Sequence, residues 1–82
     1  MKIVITKEEL WDLIAVMMVY CASCHRVSAP AIKSCLEDES GANWELWDWQ
    51  GDPSDISQCQ VAMSGQIAGL KRIYHLKLEE GP

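Results

Sequence analysis

The run Cys21-Ala22-Ser23-Cys24-His25 holds the residue types in this 82-residue chain that most directly suggest chemistry. C-x-x-C-H is the spacing at which two thiols take up the vinyl groups of a haem while the histidine binds its iron. Haem attachment takes place outside the cytoplasm, and the start of the chain does not read as an export signal. Glu8, Glu9 and Asp12 precede the apolar run, where a positive region should stand. No Gly/Pro-rich loop offers a methionine as second axial ligand, because Met63 falls within a helical pattern. Haem is not expected, nor is any other cofactor.

The same thiols could hold zinc, which takes Cys and His pairs from two places in a chain. The candidates are Cys21, Cys24 (or His25), Cys35, Cys59 and His75. A second C-x-x-C or H-x-x-x-H is missing. Cys35 and Cys59 also lie on apolar faces at helical spacing, where a free cysteine packs as a small hydrophobe. The expectation is a metal-free fold with reduced cysteines. The alternative is a small zinc-binding or redox protein using Cys21 and Cys24. Redox chemistry of the thioredoxin kind needs a thiol acidified at a helix N-terminus. Here the pair sits near the expected end of a helix, whose dipole disfavours thiolate and suits the cations His25 and Arg26.

Catalysis needs paired acid and base groups, or a nucleophile with its base. Two His and four Cys permit a pair, but no spacing selects one. Phosphate-loop, G-x-S-x-G and H-E-x-x-H motifs are absent from the sequence. The expectation is a protein that is not an enzyme.

A more distinctive segment is Asn43-Trp44-Glu45-Leu46-Trp47-Asp48-Trp49-Gln50-Gly51-Asp52, which carries three of the four Trp. Read as a strand, it points Glu45, Trp47 and Trp49 one way and Trp44, Leu46 and Asp48 the other. One Trp-bearing face meets the core and the other lies at the surface among carboxylates. Aromatics there would anchor a partner and the acids would steer it. The candidate partner-binding residues are Trp44, Trp47, Asp48, Trp49, Asp52 and Asp55. Charge distribution agrees. From Ser34 to Leu70 there is no Lys or Arg, while Glu37, Asp38, Glu39, Glu45, Asp48, Asp52 and Asp55 form a block of −7 within a net charge of −5. Such a block suits a protein partner with a basic surface, and not nucleic acid or an anionic membrane.

The elements that must position these residues read as β-α-α-β-α-β. Lys2–Ile5 is a short β-branched strand. Thr6 with Glu9 makes a capping box for a helix reaching Ala22 or Cys24. Leu10, Ile14, Met17 and Cys21 stripe that helix, and Leu13, Val16, Met18 and Tyr20 make its second half apolar all round, which suggests a core helix or a homodimer interface. Ser28–Glu39 reads as a second helix with Pro30 in its first turn. Asn43–Gln50 reads as a strand, Gly51-Asp52-Pro53 as a turn, and Ser54 or Asp55 as the cap of a third helix with Ile56, Cys59, Met63, Ile67 and Leu70 on one face. Gly65 and Gly69 suggest close packing there. Arg72–Leu78 reads as the last strand. The expected fold is one α+β domain over residues 1–82, with a short antiparallel or mixed sheet and helices on one face. The longest apolar run, Leu13–Ala22, is about half of what a spanning helix needs, so the expected location is cytoplasmic.

The opening Met1-Lys2-Ile3-Val4-Ile5-Thr6-Lys7-Glu8-Glu9-Leu10, with the small size and acidity, resembles small phage or mobile-element accessory proteins of the anti-CRISPR kind. The likeness is one of style over about ten residues, and no functional residue carries over. It implies a non-catalytic chain that blocks a nucleic-acid site or a subunit contact on a bacterial defence complex.

Overall fold

A computed structural model describes residues 2–77. It is an α+β fold of four short strands and two helices around one shared core. In chain order these are β1 (Ile3–Ile5), α1 (Lys7–Val19), a single 3-10 turn (Ala22–Cys24), β2 (Ala31–Ser34), β3 (Trp44–Trp47), α2 (Pro53–Ile73) and β4 (Tyr74–Leu76). The strands form two separate pairs, not the single sheet expected. β1 runs parallel to β4 with Ile5 opposite Leu76, and β2 runs antiparallel to β3 with Ile32 opposite Leu46.

The capping box stands as read. The Thr6 hydroxyl oxygen accepts the Glu9 amide at 3.1 Å, and Glu9 Oε1 accepts the Thr6 amide at 3.3 Å. Leu10, Ile14 and Met18 are the buried face of α1. The helix stops at Val19, short of the expected Ala22 or Cys24, and the chain tightens into the 3-10 turn. For α2 the cap is Asp52, whose carboxylate accepts the Ser54 amide at 2.9 Å, with Pro53 in the first turn. Its core-facing residues are those expected: Cys59, Met63 and Leu70 are buried, while Ile56 and Ile67 pack against them. The helix extends through Ile73 and shortens the last strand to Tyr74–Leu76; Leu78 lies outside the described residues. A Cβ on Gly65 or Gly69 would meet nothing within 4 Å, so neither glycine serves close packing.

The segment Ser28–Glu39 is the largest departure, because a strand replaces the expected second helix. Pro30 fixes a φ that suits extended chain as well as a first helical turn. Ile32 goes into the core while Lys33 faces out, a period of two that the Trp44–Trp47 strand completes from the other side. The pairing extends to Ser28, whose amide donates to the Gln50 carbonyl at 3.0 Å. Gly51 follows at φ 147°, where a side chain would press on the Arg26 carbonyl oxygen at 3.0 Å.

Asn43 joins the two strand pairs. Its Nδ2 donates to the Leu76 carbonyl at 3.0 Å and its Oδ1 accepts the Leu76 amide at 2.8 Å, both within the core. The side chain thereby supplies β4 with the pairing a neighbouring strand would give. A Cys24–Cys59 disulfide links the 3-10 turn to α2, which corrects the expectation that all four cysteines are reduced. Among the described residues no helix is long and apolar enough to cross a membrane.

Candidate protein-interaction surface

The β2–β3 ladder sorts the tryptophans. Trp44 and Leu46 turn inward with Ile32, while Ala31, Lys33, Glu45 and Trp47 turn outward. Trp44 has no exposed surface. Its indole N–H donates to the Tyr74 carbonyl at 3.2 Å, and Lys71 Nζ lies 5.6 Å from the ring centroid. It therefore belongs to the core and leaves the candidate binding set. Trp47 is 50% exposed. Lys33 Nζ lies 5.8 Å from its ring centroid and 3.0 Å from Glu45 Oε1.

Asp48 ends the alternation. Its φ of 54° is a left-handed conformation that Asp tolerates better than most residues, and its carboxylate accepts from Gln50 Nε2 at 2.7 Å. The reversal turns Trp49 back to pack, half-buried, against the core instead of extending the face of Trp47. Asp52 is occupied as the cap of α2, and Asp55 lies half-buried in that helix's first turn. Of the six expected residues, Trp47, Asp48 and Asp52 are exposed, Asp52 while capping α2; Trp44 is core, and Trp49 and Asp55 are half-buried.

The structure adds a residue the sequence reading did not select. Trp11 is 42% exposed and lines an open groove with Lys7, Glu8, Asp12, Ala31 and Ile32. Ala31 is also the ladder partner of Trp47, so the groove that Trp11 lines reaches the strand position opposite Trp47. Trp11 stands just off the Leu10–Ile14–Met18 stripe. That offset was the available signal.

The acidic block is not an isolated field. Side chains outside it in sequence reach three of its seven carboxylates: the Lys33 ammonium lies 3.0 Å from Glu45, the Lys71 ammonium 3.2 Å from Asp38, and the His75 Nε2 3.1 Å from Glu37. Asp38 organises the 38–42 turn. The Ser40 hydroxyl, then the Ser40 amide, the Lys71 ammonium and the Ala42 amide hold its carboxyl well below the usual carboxylate range, against a smaller opposing effect of desolvation. Lys2 Nζ ties the same turn to the body by donating to the Ser40 carbonyl at 2.8 Å.

The cysteine and histidine candidates do not converge. Cys24 and Cys59 are bonded to each other, Cys21 and Cys35 are half-buried free thiols, and His75 is paired with Glu37. Among the described residues no three His, Cys, Asp or Glu side chains form a ligand cluster. His25 Nε2 lies 3.2 Å from the Val19 carbonyl oxygen at the end of α1. No protein-family model, curated protein or solved structure matches the chain.

Proposed function

We propose that the chain is a non-catalytic protein-binding module that engages a basic partner surface through Trp47 and Trp11, assisted by Glu8, Asp12, Glu45 and Asp48. The observation that carries this reading is the pair of indoles left 50% and 42% exposed, Trp47 as the ladder partner of Ala31 and Trp11 on the groove that Ala31 also lines. Each offers a large apolar area to a partner at little entropic cost, and Trp is enriched among the few residues that dominate binding energy. Lys33, set over the Trp47 ring and against Glu45, illustrates how a partner's Lys or Arg would be held: cation over the ring, ammonium on the carboxylate.

Basic surfaces of this kind normally hold nucleic acid. The proposed setting is therefore inhibition of a bacterial nucleic-acid-handling or defence complex, in the manner of anti-CRISPR proteins, with no direct contact to nucleic acid or membrane. A cytoplasmic location suits that role but stands against the disulfide, since reducing compartments keep thiols unpaired. Thiol titration of the protein taken from its own cell decides between them.

The functional test begins with affinity capture of the partner. Trp47→Ala and Trp11→Ala should then speed dissociation, each costing roughly 2 kcal/mol or more if it is a hot spot. Asp48→Asn with Asp12→Asn should slow association in low salt and not in high salt. Trp44→Ala is the contrast: it empties the core and should lower stability by about 3–5 kcal/mol. Binding of unaltered lifetime in both exposed-Trp variants, with their fold intact, would remove this surface from the function.

A further inference from the structure

We infer that two copies of this chain associate through the outward face of α1, antiparallel, about a two-fold axis at Val16. The inference does not rest on the proposed partner surface: Glu8 and Asp12 enter both, but the indoles of Trp11 and Trp47 do not line the groove beside Val16.

The outward face of α1 carries Glu9 and Asp12 near its start, but from Leu13 to Tyr20 it lacks the charged side chains a solvent-facing helix normally carries. Val16, Val19 and Tyr20 are 55%, 69% and 85% exposed, and Leu13 is 36% exposed. The adjoining strand β1 adds Ile3 and Val4, at 58% and 60%, and the two elements line one groove. An apolar patch of this extent on so small a protein marks a contact site. Residues 13, 16 and 20 succeed one another at helical spacing, so they form a stripe that a second helix can cover.

Charge selects both occupant and orientation. The first half of α1 carries Glu8, Glu9 and Asp12 against Lys7 alone, and Arg26 follows its end. A parallel copy would set carboxylates against carboxylates. An antiparallel copy sets each acidic end beside the other chain's Arg26 end and opposes the two helix dipoles favourably. With Val16 on the axis, Leu13 meets Val19 of the second copy, and Asp12 meets Tyr20, whose phenol can donate to the carboxylate. The stripe is thus self-complementary, which an isologous contact requires. A helix of 13 residues is only about 20 Å long, so the contact is small and the dimer belongs to the weak, concentration-dependent class.

Sedimentation velocity on the full chain, from low micromolar to near-millimolar concentration, should show a reversible monomer–dimer equilibrium. Val16→Glu places two carboxylates at the axis and should weaken it at least about tenfold, with the circular dichroism spectrum unchanged because Val16 is exposed. A second variant reads the geometry. In a Cys21→Ser/Cys35→Ser background, Val16→Cys should cross-link rapidly under mild oxidation. Val61→Cys, 74% exposed on α2, should not. A monomer across the whole concentration range, a dimer indifferent to Val16→Glu, or Val61→Cys linking as fast as Val16→Cys would each overturn the inference.

Discussion

Replacing Asn43 with Ala tests how the two strand pairs are held as one fold. The Asn43 amide gives β4 two hydrogen bonds, at 3.0 Å and 2.8 Å, and both it and Leu76 are buried, at 4% and 2% exposure. Alanine deletes both bonds and leaves the Leu76 carbonyl and amide without that partner in a site water does not reach. Each bond contributes about 1 kcal/mol net, and each stranded buried group costs about 1–3 kcal/mol. The expected loss is therefore about 2–5 kcal/mol. A chain of this length has total stability of roughly 4–12 kcal/mol, so the variant should sit near the edge of folding. Its Tm should fall by roughly 8–40 °C, at about 4–8 °C per kcal/mol for a domain of this size. Asn43→Asp should do no better, because the new carboxylate meets the Leu76 carbonyl with a buried negative charge and no donor. Urea denaturation followed by Trp fluorescence and far-UV circular dichroism gives the free energy, and hydrogen exchange at the Leu76 amide reports the local bond. A loss within about 0.5 kcal/mol, as for an ordinary surface site, would show that Asn43 does not join β3 to β4.

Reduction of the Cys24–Cys59 link, which spans 35 residues of sequence, should cost about 2–4 kcal/mol; a Tm indifferent to reductant, or four titratable thiols in the oxidised protein, would remove the disulfide from the fold. Gly65→Ala and Gly69→Ala should each stabilise by about 0.5–1 kcal/mol, since both sit in α2 with open space at the Cβ; a lower urea midpoint would reveal a hidden contact. Because the folded-state pKa of Asp38 is depressed, its contribution to stability is present above the usual carboxylate range and is lost as pH falls through the lower folded value. The Ser40 and Ala42 amide shifts should therefore stay flat through the usual carboxylate range and move only in stronger acid, and a shift at ordinary carboxylate pH would refute that hydrogen-bond set.

Local chemistry was legible in the residues themselves. The Thr6–Glu9 box and the Ile56–Leu70 face of α2 each depend on side chains within a few turns of one another, and both stand in the fold as read. So does the alternation that sets Trp44 and Leu46 on one face and Glu45 and Trp47 on the other, since a strand's period of two needs no distant information, although it does not say which face turns inward. Where the reading failed, the deciding contact came from far along the chain. Ser28–Glu39 holds residues compatible with a helix, and the Trp44–Trp47 strand made part of it β2 by supplying cross-strand partners. Propensity is a weak prior that such pairing overrides.

The candidate surface divides along the same line. The sequence determined that there is a Trp-rich, acidic segment and that one of its faces is exposed. Tertiary structure alone decided which tryptophan faces outward, because the left-handed Asp48 ends the strand and turns Trp49 back, and because α1 brings Trp11 beside Ala31. It also decided the charge, by folding Lys33 and Lys71 onto carboxylates that stand alone in the sequence, and the cysteine chemistry, by bringing Cys59 of α2 against Cys24. These are all long-range contacts, set by how the elements pack in three dimensions, and residue spacing along a chain records only the short-range ones.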